Sequence, residues 1–221
     1  GDLITTSSSY TVKERDDLFI LLPKELKVNS LLELGCADGN NLIFFKNKFN
    51  LKKTDVVGVD NCNSNIAKEI RDFQFIHKSA EKFIEQNKRQ YDLVIFSDVI
   101  EHIYNPWQIL FKTKQVLTKN GLALMSIPNF QNLNYIRAIF NGNFYYKRTG
   151  LFDETHIRFF SLNTIKSYLK NLGFKIIKTG WREDKSLTTL KEKLLNELDN
   201  KEYVNLEIEN FKIKILKLNI E

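Results

Sequence analysis

Five short apolar runs, the first four each followed by a stretch with helical spacing, fill residues 29–127 and leave this chain few architectures to choose from. The runs are 29–35 (NSLLELG), 54–60 (TDVVGVD), 73–78 (FQFIHK), 91–97 (YDLVIFS) and 121–127 (GLALMSI). The spacing predicts strands there and helices over 40–48, 64–72, 81–87 and 107–117. A strand with no polar face needs cover on both sides, so the pattern predicts an α/β fold with a parallel sheet and helices on both faces.

The rhythm breaks at 128–160, where aromatic, polar and irregular residues mix. This segment reads as a cap inserted after the fifth strand. A helix resumes at 161–172, with Ser161 as N-cap and Gly173 at its end. A sixth strand is expected at 174–179, a charged helix at 185–198 and an edge strand at 211–220. At the other end, 11–22 reads as a short helix stopping before Pro23. The 221 residues form one domain in this reading, with a helical lid at 1–28, the cap at 128–160 and a tail at 185–221.

Composition narrows the function. Hydrophobic residues are 43% and charged residues 27%, as in ordinary globular chains. No apolar run approaches the roughly 18–20 residues that span a bilayer, and the start from Gly1 to Tyr10 is polar, unlike a secretory leader. Cys36 and Cys62 make neither a disulfide framework nor a zinc site, so a cytoplasmic protein without membrane attachment is expected. The net charge of +6 invites a nucleic-acid reading, but basic residues alternate with acidic ones (Lys191, Glu192, Lys193; Lys201, Glu202) instead of forming a stripe. No nucleic-acid partner is expected.

Four motifs carry chemistry. Leu31 to Gly39 (LLELGCADG) runs from strand to turn to helix, where glycines let a ligand approach the backbone. Its Gly35-x-x-x-Gly39 spacing departs from the G-x-G-x-x-G of pyrophosphate-binding turns and points to a cofactor without a pyrophosphate; a plain tight turn is the alternative. Asp60 ends the next strand, where a carboxylate can accept from both hydroxyls of a ribose, or simply cap a helix. Ser97 to His102 (SDVIEH) follows the fourth strand and lies on the same rim; His102 is either catalytic or a capping residue. Asp153 to Arg158 (DETHIR) sits in the cap, as a substrate-facing loop or as structural capping of the next helix.

ELGCADGN, VVGVD, FSDVIEHIYNP and SIPN resemble the successive motifs of class I S-adenosylmethionine-dependent methyltransferases. Together with Tyr10, Arg15 and GLFDETHIRFFS they resemble a bacterial subgroup whose genes accompany glycosyltransferases in surface-polysaccharide clusters. The resemblance covers about residues 10–180. It implies a Rossmann-like, mostly parallel sheet with an antiparallel last strand, and S-adenosylmethionine as cofactor. Glu33, Gly35, Cys36, Ala37 and Gly39 would line its methionine portion, Asp60 would bind the ribose, and Asn61 would lie beside the adenine. Ala80 and Glu81 would edge the adenine pocket, Ser97, Asp98 and Val99 would flank the sulfonium, and Arg15 and Tyr10 would close over the cofactor. Many relatives carry an Asp that bonds the adenine amino group where this chain has Ser79, so that contact is altered.

Methyl transfer to a hydroxyl needs a proton acceptor, and a neutral imidazole suits that role near neutral pH. Of three histidines, His77 reads as structural. His156 is favoured over His102 as general base, with Asp153 or Glu101 orienting an imidazole and Arg158 holding an anionic acceptor. No Cys/His/carboxylate cluster is visible, so no metal is expected. The leading function is O-methylation of a sugar nucleotide or other small precursor of a cell-surface polysaccharide. Lys147, Arg148 and Arg158 would suit a phosphate-bearing acceptor. An aromatic cap (Phe140, Phe144, Tyr145, Tyr146, Phe152) would suit a quinone or lipid intermediate instead, and a non-catalytic module that binds the cofactor is the third reading. Either a monomer or a homodimer is compatible with the charged tail.

Overall fold

The computed structural model describes residues 15–62, 72–180, 203–208 and 211–216. Five parallel strands form the main sheet: β1 (Leu31–Leu34), β2 (Val56–Asp60), β3 (Gln74–His77), β4 (Tyr91–Ser97) and β5 (Leu117–Ser126). Their order is β3-β2-β1-β4-β5. The chain therefore builds outward from β1 to β3 and then crosses back to β4. This reversal opens a crevice at the carboxyl ends of β1 and β4, where ligands bind in sheets of this kind.

The predicted absence of a polar face is realised in the central strands. Leu31, Leu32, Leu34 and every residue from Leu93 to Phe96 are fully buried. Successive side chains alternate between two cores. Leu32, Leu34, Val57, Val94 and Phe96 pack with Phe83, Ile109 and Leu110 on one face, while Leu31, Val56, Leu93 and Ile95 pack with Leu18, Leu42 and Phe45 on the other.

The helices are α1 (Asp16–Phe19), α2 (Asn40–Lys48), α3 (Ala80–Gln86), α4 (Pro106–Val116), α5 (Leu133–Phe140) and α6 (Leu162–Asn171). Local chemistry sets several of their starts. The Asn105 side chain accepts from the Gln108 N–H, with Pro106 at the first helical position. The side chains of Ser79 and Ser161 cap α3 and α6 in the same way, and Gly173, at φ +82°, ends α6. No helix among the described residues is long and apolar enough to cross a membrane.

Three expectations are corrected. The first helix is only one turn, because Pro23 and the bends before it stop it early. The proposed sixth strand at 174–179 forms no ladder. Phe174 and Ile176 do turn inward, but Lys178 bonds the Ile20 carbonyl at 2.9 Å and no strand partner engages the segment among the described residues. Alternation fixes which side of an extended segment faces inward, not whether a partner lies within hydrogen-bonding reach. The tail also holds a second strand that the sequence pattern does not reveal: β6 (Tyr203–Ile208) pairs antiparallel with β7 (Phe211–Leu216) as a separate two-stranded sheet. Tyr10, most of the helix expected at 64–72 and the helix expected at 185–198 lie outside the described residues.

The cap is tied to the sheet rim by its backbone. Ile157 and Arg158 N–H both donate to the Glu101 carbonyl at 3.0 Å, and Phe130 N–H donates to Phe160 O at 2.8 Å. Within the cap, Tyr135 is 1% exposed and packs its ring against Phe130, Phe144 and Phe152.

Candidate active site

A cleft of about 1900 Å³ runs along β5 and the 173–180 segment to the carboxyl ends of β1 and β4 and reaches the cap. Its first wall is the turn after β1. Gly35 and Cys36 N–H both donate to Val59 O, at 2.7 and 3.1 Å, which folds the turn over the end of β2. Gly35 has φ +74°, and a Cβ built there would meet Val99 Cγ2 at 2.3 Å. Only glycine meets both conditions. Gly39, at φ +77°, starts α2 with its backbone against the Phe73 ring. It serves the turn and the packing and does not line the cleft.

Two buried carboxylates face this turn. Asp60 is 8% exposed; it accepts from Ala37 N–H at 2.8 Å and from Cys62 N–H at 2.7 Å, so it joins the loops after β1 and β2. Each of its oxygens keeps a second lone pair for a ligand hydroxyl. Glu33 is 1% exposed, and burial pushes its pKa up to about 8. One of its oxygens accepts from Asn41 Nδ2, whereas its Oε2 and Asn41 Oδ1 have no partner. Two unpartnered buried polar atoms in the wall of one cleft are a cost; a cationic donor such as an amino-acid ammonium would relieve it and favour the ionised form of Glu33. The residues therefore fit an adenosyl amino-acid cofactor, with Asp60 toward ribose hydroxyls and the Glu33–Asn41 pair toward an ammonium.

The far side of the rim is polar. Ser97 and Ser126 end the paired strands β4 and β5 opposite each other. Asp98 follows at φ +54°, and Ser126 Oγ donates to its Oδ1 at 2.8 Å. Arg15, from the start of α1, reaches across to donate to Asp98 Oδ2 at 2.7 Å and to Ser97 Oγ at 3.0 Å. A second branch of its guanidinium bonds Asp17 at 2.8 Å.

Beyond the rim, the third and fourth motifs meet. Glu101 and His102 lie on a 3-10 turn (Ile100–His102), and the cap sets His156 beside them. The His102 and His156 rings lie edge to face with centroids 4.8 Å apart. Glu101 is 1% exposed with neither carboxylate oxygen partnered, and burial raises its pKa to about 8. Its Oε1 is 3.8 Å from His156 Nε2. His156 itself is 9% exposed; burial lowers its pKa, and His102 lowers it further. Glu101, His102 and His156 each offer one ligating atom within 4.8 Å of the others. The sequence displays no such His/carboxylate cluster because the cap supplies one of its members from a distant part of the chain.

Arg15, Glu33, Gly35, Cys36, Ala37, Asp60, Asn61, Ser97, Asp98, Val99, Glu101, His102, Asp153 and His156 are brought together in the cleft wall. Ala80 and Glu81 start α3 outside it, next to Ser79, whose hydroxyl accepts from Lys82 N–H at 3.3 Å. Arg158 donates to the Tyr104 carbonyl at 3.1 Å and stacks over the Tyr104 ring, so its guanidinium is engaged away from the cleft. Lys147, Arg148 and the cap rings Phe140, Phe144, Tyr145, Tyr146 and Phe152 are also absent from the lining. Three contributors escaped the sequence reading: Asn41, Ser126 and Thr155. Ser126 lies in the SIPN motif and Thr155 in DETH, but polar residues of that kind declare a role only through their partners.

Comparison with known proteins identifies the family and the fold. The methyltransferase domain family matches residues 12–179. A ubiquinone biosynthesis O-methyltransferase of Ruegeria sp. (strain TM1040) is 27% identical over 117 residues, covering 50% of this chain and 45% of that protein. The chain spans about half the length of the curated relatives it matches. A SAM-dependent methyltransferase from Archaeoglobus fulgidus superposes with a TM-score of 0.58 at 16% identity, over 84% of this chain and 86% of that one. One from Thermotoga maritima superposes with a TM-score of 0.53 at 19% identity, over 73% and 69%. The family match runs over most of the chain and takes in the glycine turn and the buried Asp60 opposite it: the protein belongs to the methyltransferase domain family.

Proposed function

We propose that the protein is an S-adenosylmethionine-dependent O-methyltransferase acting on a hydroxyl of a small polar acceptor, of which a sugar nucleotide or another precursor of a cell-surface polysaccharide is the leading class. The observation that carries this reading is the pair of imidazoles, His102 and His156, beside the rim where a donor held by Gly35 and Asp60 would present its methyl group. When bound, the cofactor supplies an electrophilic methyl group on a positively charged sulfur. The protein's share is to bind, align and take up a proton. Glu33 with Asn41, and Asp60, would hold the donor. Gly35 lets Val99 pack directly against the turn, and Arg15 would keep Asp98 in place. Alignment of this kind is worth several kcal/mol of barrier. The proton of the acceptor hydroxyl leaves to an imidazole of this pair.

A polar acceptor is supported by the cleft lining, which includes Asn129, Asn132, Asp153 and Thr155 as well as His102. A second reading, a phenolic ring, is supported by the relatives named as ubiquinone biosynthesis O-methyltransferases. The cap rings argue against it, since Tyr135, Phe144 and Phe152 pack on one another. Transfer of radiolabelled methyl groups from S-adenosylmethionine to parallel panels of sugar nucleotides and catechols separates the two. Label in the sugar panel is expected; label in catechols alone replaces the first reading with the second, and label in neither removes both.

A further inference from the structure

His102 is held differently from His156. Its Nδ1 lies 3.1 Å from the Thr155 carbonyl oxygen and 3.0 Å from Thr155 Oγ1. A carbonyl oxygen can only accept, so Nδ1 must carry the hydrogen, and the neutral ring has its lone pair on Nε2. The Thr155 hydroxyl is itself committed. It donates to Asp153 Oδ1, which also accepts from Thr155 N–H at 2.9 Å. The hydroxyl hydrogen is thus spent on a carboxylate that is 4% exposed, and Oγ1 is left as an acceptor for His102. A chain of polarised bonds runs from Asp153 through Thr155 to the imidazole. His102 lines the cleft and is exposed to it, whereas His156 is buried with its Nε2 toward Glu101.

We propose that His102 is the general base of the methyl transfer and that Thr155, fixed by Asp153, is the positioning residue that holds its imidazole as the Nδ1–H tautomer. This inference rests on the O-methyltransferase reading and deepens it. As the acceptor oxygen bonds to the methyl carbon, the carbon–sulfur bond breaks and its electron pair stays on sulfur. The hydroxyl proton passes to His102 Nε2. The positive charge lost from sulfur then appears on the imidazolium, whose Nδ1–H still points at Thr155, with the Asp153 carboxylate one hydroxyl further on. The ionisable groups that face the pair are Glu101 on the same turn, Asp98 at the end of β4, and Asp153 and His156 in the cap.

The test has an arm that needs no acceptor. In the uniformly ¹⁵N-labelled full chain there are three imidazoles to assign, each identified by its substitution. Long-range ¹H–¹⁵N correlation then reads their tautomers directly. His102 is expected as Nδ1–H in the wild type, and also in Thr155→Val, which loses the hydroxyl but keeps the backbone carbonyl that Nδ1–H faces. An Nε2–H tautomer of His102 in the wild type overturns the proposal whatever the acceptor proves to be. The second arm is kinetic and uses the acceptor labelled in the panel above. His102→Gln is expected to lower kcat by about 10²–10⁴-fold, and His156→Gln by less. Thr155→Val is expected to lower kcat more than it changes KM, because the imidazolium loses its link to Asp153; Thr155→Ser restores kcat. A larger loss of kcat in His156→Gln than in His102→Gln overturns the assignment. So does activity lost to EDTA and regained with a divalent cation, since the Nε2 lone pair would then be a ligand beside Glu101 and His156. If no hydroxyl acceptor is methylated while the tautomer is as expected, the function fails, and the base assignment falls with it; the Thr155 hold on the ring then stands as a structural fact alone.

Discussion

The imidazoles of His102 and His156 meet edge to face, 4.8 Å between centroids, although one follows β4 and the other belongs to the cap. Both cannot readily carry a charge at that separation. The consequence falls on His156, which burial and then its neighbour hold below the usual value of 6.5. A histidine lowered in the folded state gives stability that is complete above the unfolded value and is lost as pH falls below it. Thermal melts at pH 7.5 and 5.5 are expected to show a smaller acid loss in His156→Gln than in the wild type. An equal loss in both proteins would place the titration elsewhere.

Glu33 has the opposite sign. Its pKa rises from 4.5 to about 8 on folding, so the folded chain keeps a proton that the unfolded chain releases. Its contribution is greatest below pH 4.5 and declines as pH climbs to about 8, by at most ~1.4 kcal/mol per pH unit. Urea unfolding of Glu33→Gln at pH 5 and pH 8 is expected to lack this decline. An identical slope in variant and wild type contradicts the burial argument.

Gly35→Ala combines an unfavourable backbone with a clash. The left-handed conformation alone costs an L-residue ~1–2 kcal/mol, and the new methyl group would lie 2.3 Å from Val99 Cγ2. The double variant with Val99→Ala is expected to recover only the steric part, leaving a residual loss in chemical denaturation. Full recovery would show that the dihedral carries no strain.

Asp60→Asn keeps the shape but loses the charge. The amide offers one acceptor oxygen where the carboxylate offered two, so one of the bonds from Ala37 and Cys62 is lost, along with the charged contact proposed for a ribose. Hydrogen bonds to charged groups contribute ~1.5–3 kcal/mol. Calorimetric affinity for S-adenosylhomocysteine is therefore expected to fall by about 10- to 100-fold. Unchanged affinity would remove Asp60 from the cofactor site.

Arg15 and Asp98 form a partly exposed pair, with side-chain exposures of 11% and 49%. Solvent screening limits such pairs to ~1 kcal/mol. A double-mutant cycle with Arg15→Gln and Asp98→Asn, read by urea unfolding, is expected to return a coupling of about that size. A coupling near zero would make the bridge a passive contact.

Much of the fold is legible because its causes are local. The strands β1, β2 and β4 appear as apolar runs, and a strand buried on both faces has no other pattern to show. Asn105 before Pro106, and Ser161 before α6, announce helix starts through capping chemistry that spans three residues. The turn from Gly35 to Gly39 and the carboxylate of Asp60 are visible for a related reason, since a backbone that must bend tightly can use few residue types. The strand expected at 174–179 was not decided in this way, because a ladder depends on a partner that the segment cannot specify.

Local sequence determined that this chain would form a parallel sheet with a ligand rim, and which residues of the first three motifs would stand on it. Tertiary structure alone decided what those residues do to one another. It brought Asn41 to Glu33, Arg15 to Asp98, and Thr155 with Asp153 to His102. It also engaged Arg158 with Tyr104, away from the cleft. A tautomer, a shifted pKa or an unpartnered carboxylate is set by groups a few ångströms away, and those neighbours come from parts of the chain that only packing brings into contact.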